Sequence, residues 1–164
     1  MQAGTSLRRS GSSPLPAPRS PLPCPRTTMY ETFDHTADVG LRIRAADLDT
    51  LFAEAARAMF SVIAGDLEAV RPKEEVRITL AADDLDALLR DWLGELLYTF
   101  HVRKLVFSDF TVAVGEWGLQ GTARGEPMDA ARHQLDVEIK AVTWHGLKVE
   151  PSGDGWLAEV IVDI

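Results

Sequence analysis

Two stretches of the chain repeat apolar residues at helical spacing, and they constrain the fold more than any other feature. The first follows Asp47 and Asp49, either of which can cap a helix, and Gly65 is placed to end it. The second follows Asp83 or Asp84 and should be the longest helix of the protein. The apolar positions are Leu48, Leu51, Phe52, Ala55, Met59, Phe60 and Ile63 in the first stretch, and Leu85, Leu88, Leu89, Trp92, Leu93, Leu96, Leu97 and Phe100 in the second. Both stretches predict helices that bury one face in a core, without any need for a cofactor.

Alternating apolar and polar residues surround these helices and predict strands. The candidate strands are 39–45, 75–81, 104–107, 110–114, 118–124, 137–144, and a final hairpin of 147–150 and 156–164. Residues 128–133 indicate a loop or a single helical turn. Because the strands and helices interleave without a regular β–α–β repeat, the sequence predicts an α+β fold. We expect a single domain in which a mixed or antiparallel sheet packs with two main helices.

The composition changes abruptly at Met29. Residues 1–28 hold six of the nine prolines and four arginines but no acidic residue. Such a segment cannot bury enough apolar surface to fold, and it predicts a disordered tail rich in Pro, Ser and Arg. Its prolines argue against an amphipathic transit peptide, and it has no continuous apolar h-region. We therefore expect Met29 to be the functional initiator and residues 29–164 to form the folded domain.

The folded domain is strongly acidic. Residues 29–164 hold 13 basic and 25 acidic residues, a net charge of −12. Direct binding to nucleic acid is unfavourable for such a domain, since phosphate contacts need clustered Lys and Arg. A cation or a partner with a basic surface suits it better. The single cysteine, Cys24, favours a reducing cytoplasm, and no apolar run approaches the roughly 20 residues of a membrane span. A soluble cytoplasmic protein is expected.

Carboxylates at two strand ends are candidates for a cation site. Asp38 lies off the core face at the start of one strand, and Asp163 lies near the end of the last strand. Asp163 is adjacent to the α-carboxylate of Ile164, and oxygen ligands of this kind suit Ca²⁺ and Mg²⁺. Spacing alone leaves alternatives open. Asp38 could instead stabilise a local turn, and the carboxylates at the chain end could simply be solvated.

A third cluster of titratable residues, including Glu126, His133 and Lys140, falls within residues 125–145. It could serve acid–base chemistry or phosphate binding, which gives the competing hypothesis of a stand-alone nucleotide-binding or hydrolytic enzyme. No Gly-rich phosphate loop, nucleophile elbow or His-x-x-x-His pair accompanies these residues. Any single histidine here is more often structural than catalytic. Lys140 lies within a strand pattern, and a half-buried lysine usually pairs with an acid.

Five ordered motifs resemble the archease family. They are His-Thr-Ala-Asp-Val-Gly at 35–40, Trp-Leu-x-Glu-Leu-Leu at 92–97, Gly-Glu-x-x-Asp-x-x-Arg-His at 125–133, Ile-Lys-Ala-Val-Thr-Trp-His at 139–145 and Val-Asp-Ile at 162–164. The resemblance spans residues 29–164 and leaves 1–28 without a counterpart. One departure is Asp34, where a glutamate is more usual, although the charge is kept.

The resemblance implies an accessory protein of an RtcB-type RNA ligase, not an enzyme. Archease-like proteins promote guanylylation and multiple turnover of that ligase in tRNA splicing or RNA repair, and they meet RNA only through it. The metal site of the family is associated with calcium, with Mg²⁺ or Mn²⁺ as alternatives, and it corresponds here to Asp38, Asp163 and Ile164. Lys140 matches a lysine of the same functional region. To this region we also assign three residues of the matching motifs: His35, Glu126 and His133.

Overall fold

A computed structural model describes residues 29–35 and 38–164 of the protein, except for the side chains of residues 34 and 35. The tail predicted over residues 1–28 lies outside the described residues. That tail and the assignment of Met29 as the initiator therefore stay predictions.

In the described part of the chain, strands surround two α-helices. The helices are α1 (Leu48–Ala64) and α2 (Leu85–Arg103), and a short 3-10 helix spans Leu67–Ala69. The strands are β1 (Met29–His35), β2 (Asp38–Ala45), β3 (Glu74–Ala81), β4 (Leu105–Gly115), β5 (Gly118–Pro127), β6 (Ala141–Val142), β7 (Lys148–Ser152) and β8 (Gly155–Asp163). No helix among these residues is long and apolar enough to cross a membrane.

The helices begin where carboxylates cap them. The side chain of Asp47 accepts from the Thr50 amide at 2.8 Å, and that of Asp84 accepts from the Ala87 amide at 2.7 Å. Each carboxylate thereby satisfies a first-turn amide that has no partner within its helix. Gly65 ends α1 at a φ of 62°, a conformation that glycine adopts at little cost. Both predicted helices are confirmed, and the capping aspartate is resolved in each case.

All strand pairs are antiparallel, and they form two sheets. In the larger sheet the order is β1-β2-β8-β6, and β7 also pairs with β8; in the smaller sheet the order is β3-β5-β4. Helix α1 contacts β2 and β8 of the larger sheet and β4 of the smaller one. Helix α2 contacts β3 and β5 on one side and β6 and β7 on the other. The predicted α+β fold is confirmed, and the two helices join the two sheets.

Trp92 holds the two helices and the smaller sheet together. Its side chain is fully buried, and its Nε1 donates to the carbonyl of Phe52 in α1 at 3.0 Å. Gly121 of β5 makes room for the indole, because a Cβ there would lie 2.4 Å from the ring. Leu93, Leu96 and Leu97 are buried beside it. The apolar run on α2 is therefore core, as predicted.

The strand predictions were wrong in two places, and one strand was missed. The stretches 104–107 and 110–114 form one strand, β4, because a β-bulge between Phe107 and Asp109 shifts the register without ending the pairing with β5. The stretch 137–144 shrinks to β6, since the residues before 140 leave the sheet. Strand β1 was not predicted, because it is an edge strand whose residues 29–32 are all exposed, which leaves no buried face to produce alternation.

Candidate functional site

The antiparallel pairing of β2 with β8 places Asp38 directly opposite Asp163. Residues opposite each other in such a pair lie on one face of the sheet, with Cβ atoms about 4.5–5.5 Å apart. This is the outer face, because further along the same strands Arg42 Nε donates to Glu159 Oε1 there at 2.7 Å, while Leu41 on the opposite face is fully buried. Asp38 lies off the core face, as its spacing predicted.

The pair formed by Asp38 and Asp163 has like charges, whereas the neighbouring pair of Arg42 and Glu159 has opposite charges. Like charges opposite each other destabilise a strand pair, and a cation between them would offset the repulsion. Within residues 29–35 and 38–164, no group of three or more His, Cys, Asp or Glu side chains lies close enough to hold a metal ion. A cation here would therefore need a main-chain or terminal oxygen as a further ligand.

Lys140 and Ile164 lie at the same end of the larger sheet. The amide of Lys140 donates to the carbonyl of Asp163 at 2.8 Å, and its Nζ donates to the main-chain oxygen of Ile164 at 3.2 Å. The prediction that Lys140 is half-buried was wrong. β6 is only two residues long, so Lys140 falls just outside it and its side chain is exposed. We call Asp38, Asp163, Lys140 and Ile164 the β8 end.

His35 ends β1, and its main chain lies opposite Asp38 in the register of β1 with β2. The side chain of His35, which we assign to the functional region, lies outside the described residues.

Glu126 and His133 form a buried pair elsewhere in the molecule. The two residues are 2% and 3% exposed, and His133 Nε2 donates to Glu126 Oε1 at 3.0 Å. His133 Nδ1 accepts from the amide of Asp129 at 2.9 Å, which places the ring proton on Nε2. Both groups of the pair are thus satisfied from within the protein.

Basic groups complete the surroundings of Glu126. The Arg71 amide donates to Oε1 at 2.9 Å, Arg132 Nη2 lies 2.9 Å from Oε2, and Lys73 Nζ lies 3.7 Å from the same atom. The bond from Arg132, followed by the one from the Arg71 amide, lowers the pKa of Glu126 to about 2. A carboxylate with so low a pKa is a poor proton acceptor at neutral pH. We call this group the Glu126 cluster. It consists of Glu126, His133, Arg71, Lys73 and Arg132.

The Glu126 cluster fixes the loop that leads to Lys140. After His133, the amide of Asp136 donates to the carbonyl of Ile63 at the end of α1 at 2.9 Å. His101 Nε2 on α2 then donates to the carbonyl of Ile139 at 2.9 Å, and the side chain of Ile139 is fully buried. These bonds hold an irregular segment on a single path, which ends at the β8 end.

The competing catalytic cluster is not assembled. Glu126 lies on β5 of the smaller sheet, whereas Lys140 lies beside β8 of the larger one. In the described part of the chain no hydrogen bond or ion pair connects Lys140 with Glu126 or His133. Glu126 also presents almost no surface to a substrate, since 2% of the residue is exposed. The geometry assigns Glu126 and His133 a structural role and gives the enzyme hypothesis no support.

Comparison with known proteins decides the family. The sequence model of the archease protein family matches residues 30–164. The chain belongs to the archease family. Protein archease of Methanopyrus kandleri is 43% identical to it over 139 residues, which cover 82% of this chain and 99% of that protein. Protein archease of Pyrococcus furiosus is 38% identical over 140 residues, with 82% and 98% covered.

A solved structure agrees with the archease assignment. The fold is similar to the solution structure of protein 1598 from Methanobacterium thermoautotrophicum, with a TM-score of 0.73 and 37% sequence identity. The similarity covers 82% of this chain and 98% of that one. The similarity in fold is therefore accompanied by similarity in sequence, and both agree with the archease family.

The archease motifs fall into three groups in the structure, one of which is the motif at 92–97 on α2. The described residues of three motifs, 35 and 38–40, 139–145 and 162–164, are far apart in the sequence and meet at the β8 end. Residues 125–133 form part of the Glu126 cluster. Sequence reasoning missed Arg71, Lys73 and the role of Arg132. Arg132 stands within its motif and could have been found, but Arg71 lies 55 residues from Glu126 and no local pattern connects the two.

Proposed function

We propose that this chain is a metal-binding accessory protein that activates an RtcB-type RNA ligase. It promotes guanylylation and multiple turnover of the ligase, in tRNA splicing or RNA repair, and it meets RNA only through the ligase. One observation carries the proposal within the archease family: the register of β2 with β8 sets Asp38 opposite Asp163, with Lys140 and Ile164 beside them. A net charge of −12 over residues 29–164 is consistent with an indirect role toward RNA.

Calcium fits the donors at the β8 end, with Mg²⁺ or Mn²⁺ as alternatives. Asp38, Asp163 and a main-chain or terminal oxygen of Ile164 would hold the ion through oxygen atoms, which hard cations prefer. When bound, the ion supplies positive charge that can position a nucleotide triphosphate. Lys140 contacts this site twice, through a hydrogen bond from its ammonium to the Ile164 oxygen and one from its amide to the Asp163 carbonyl.

Asp38→Asn and Asp163→Asn should each abolish calcium binding and stimulation of the ligase. The wild-type protein should gain thermal stability on addition of calcium, whereas neither variant should. In EDTA Asp163→Asn should unfold at or slightly above the wild-type temperature, because one member of the like-charged pair is gone. Differential scanning fluorimetry with calcium or EDTA measures calcium binding through the unfolding temperature. A guanylylation assay of the ligase with labelled GTP measures the stimulation.

Asp154→Asn is the matched control for this experiment. Asp154 is exposed in the turn between β7 and β8, at the opposite end of β8, and the substitution makes the same chemical change. It should leave calcium binding and stimulation at the wild-type level. Full stimulation of the ligase by both Asp38→Asn and Asp163→Asn would refute the proposed function.

Lys140→Ala should raise calcium affinity and lower stimulation of the ligase. The ammonium of Lys140 contacts an Ile164 oxygen that the cation would use, so its removal takes away a competing positive charge. At about 4 Å in water a unit charge repels a divalent ion by about 2 kcal/mol, and screening by salt reduces this to roughly several-fold in affinity. Isothermal titration calorimetry with calcium measures the change, and Lys140→Arg is the control that keeps the charge. A weaker affinity in Lys140→Ala would show that the lysine organises the ligands and does not compete with the ion.

A further inference from the structure

A groove runs along the outer face of α2 and reaches the β8 end. Its volume is about 550 Å³, and β6 lines its far side. We call it the α2 groove and define it by Arg90, Gly94, Glu95, Tyr98, His101 and Lys140. Since Lys140 also hydrogen-bonds Ile164, the groove and the β8 end form one continuous surface.

Gly94 lines the α2 groove, and no contact with the described residues explains a glycine there. It lies in the interior of α2, where glycine costs about 0.5–1 kcal/mol relative to alanine. A Cβ at this position would meet no atom within 4 Å, whereas a Cβ at Gly121 would strike the Trp92 ring at 2.4 Å. The helix therefore loses stability at Gly94 without a packing gain from the described residues. Close approach of another chain would supply a reason.

The walls of the α2 groove carry side chains with unused binding capacity. Tyr98 is 63% exposed, and the carboxylate of Glu95 has no hydrogen bond or ion pair among the residues that the structure describes. At one end the guanidinium of Arg90 lies over the Trp144 ring, 4.8 Å from its centroid, and Trp144 is 58% exposed. Exposed aromatic residues around a helix face are typical of the centre of a protein interface.

We propose that the α2 groove is the surface on which the ligase docks. A segment of the ligase would place an apolar side chain on Gly94 and against Tyr98, and would offer a basic side chain to Glu95. This inference rests on the proposed function and adds the location of the contact. One observation selects the ligase as the occupant: the groove is continuous with the β8 end, because Lys140 belongs to both surfaces.

Docking in the α2 groove would also orient the β8 end. Lys140 belongs to both surfaces, so a ligase segment lying along α2 ends beside Asp163 and Ile164. The irregular segment before Lys140 is held to α2 through the bond from His101 to Ile139. A ligase segment on α2 would therefore lie next to the segment that positions Lys140.

Gly94→Gln tests the inference because folding and docking should change in opposite directions. Glutamine is a better helix former than glycine, so the thermal midpoint should rise by a few degrees, on the order expected for about 1 kcal/mol. Its side chain would fill part of the groove, and ligase affinity should fall by about tenfold or more. Calorimetric titration of the full chain with the intact ligase measures the affinity, and a thermal melt of each variant measures the midpoint of unfolding.

Glu95→Arg tests the charge of the same groove. It should weaken ligase binding mainly through slower association, and the loss should shrink at high salt. Glu116→Arg is the matched control, since Glu116 is exposed in the turn between β4 and β5 and carries the same change of charge. Stopped-flow association at two salt concentrations should leave Glu116→Arg at the wild-type rate.

The outcomes separate this inference from the proposed function. If Gly94→Gln and Glu95→Arg bind the ligase as tightly as wild type while Asp38→Asn still abolishes stimulation, the groove inference is overturned and the proposed function stands. If the wild-type chain does not bind the ligase, the proposed function fails and the groove inference fails with it. If wild type self-associates in sedimentation velocity and Gly94→Gln abolishes this, a second copy occupies the groove and the inference is likewise overturned.

Discussion

Replacing Glu126 with alanine should lower the midpoint of thermal unfolding by on the order of 10 °C. Glu126 is 2% exposed, and its carboxylate accepts from His133, the Arg71 amide and Arg132. Alanine would leave a buried ring N–H and a main-chain amide without an acceptor, and donors that lose their acceptor in this way are costly. Scanning calorimetry of the calcium-free protein measures the effect.

Glu116→Ala is the control for Glu126→Ala. It removes the same side chain from an exposed turn and should change the midpoint by no more than a degree or two, roughly the effect of surface substitutions. A shift for Glu126→Ala as small as that of the control would show that the Glu126 cluster is not a source of stability. In that case the bonds from Asp136 to Ile63 and from His101 to Ile139 would suffice to hold the loop before Lys140.

The low pKa of Glu126 makes this contribution depend on pH in a defined direction. The folded carboxylate takes up its proton only near pH 2, while the unfolded chain does so near its ordinary value of 4.5. The stabilisation is therefore complete above about pH 4.5 and is lost as the pH falls toward 2. Glu126→Gln cannot titrate, so the melting temperature of wild type should fall more steeply than that of Glu126→Gln between roughly pH 5 and 2.

Conservative substitutions of Glu126 and Asp38 should distinguish structural from functional residues within the archease motifs. Glu126→Gln keeps an oxygen that can accept from His133 and preserves the path of the loop, so stimulation of the ligase should stay close to wild type. Asp38→Asn is equally conservative, yet we expect it to abolish stimulation. The contrast follows from where the two residues lie: Glu126 is buried among its own partners, and Asp38 faces Asp163 on the outer face of a sheet.

Local patterns predicted the helices because their causes are local. The spacing of apolar residues and the aspartates at positions 47 and 84 act within a few residues of each other, and both helices begin as predicted. The fold class followed from the order of the elements. Strand β1 was not predicted, because an exposed edge strand has no buried face to produce alternation. The bulge in β4 was not predicted, because it depends on pairing with β5.

The candidate site was harder to predict because it depends on contacts between distant segments. Spacing placed Asp38 and Asp163 each at the end of a strand, but only the register of β2 with β8 sets them opposite each other. The family resemblance supplied that grouping before the structure did. The exposure of Lys140 was not predictable, since it depends on where β6 ends.

Trp92→Ala should lower the free energy of unfolding by about 3–5 kcal/mol, the largest loss we expect from one substitution. The indole is fully buried, donates to the Phe52 carbonyl at 3.0 Å and fills the space that Gly121 leaves. Its removal would open a cavity between both helices and β5 and leave a buried carbonyl without its donor. Urea denaturation followed by circular dichroism measures the change, since the substitution itself alters tryptophan fluorescence.

Trp117→Ala is the matched control, because Trp117 is 78% exposed in the turn between β4 and β5. This substitution should change the free energy of unfolding by no more than about 0.5 kcal/mol. Trp92→Phe should fall between the two, since it keeps most of the ring volume and loses only the bond to Phe52. Equal stabilities of Trp92→Ala and Trp117→Ala would contradict a core centred on Trp92. Trp92 lies on the buried side of α2, and Gly94 lies on the outer side, two residues further along. The part of α2 that lines the groove is therefore also the part that Trp92 anchors in the core.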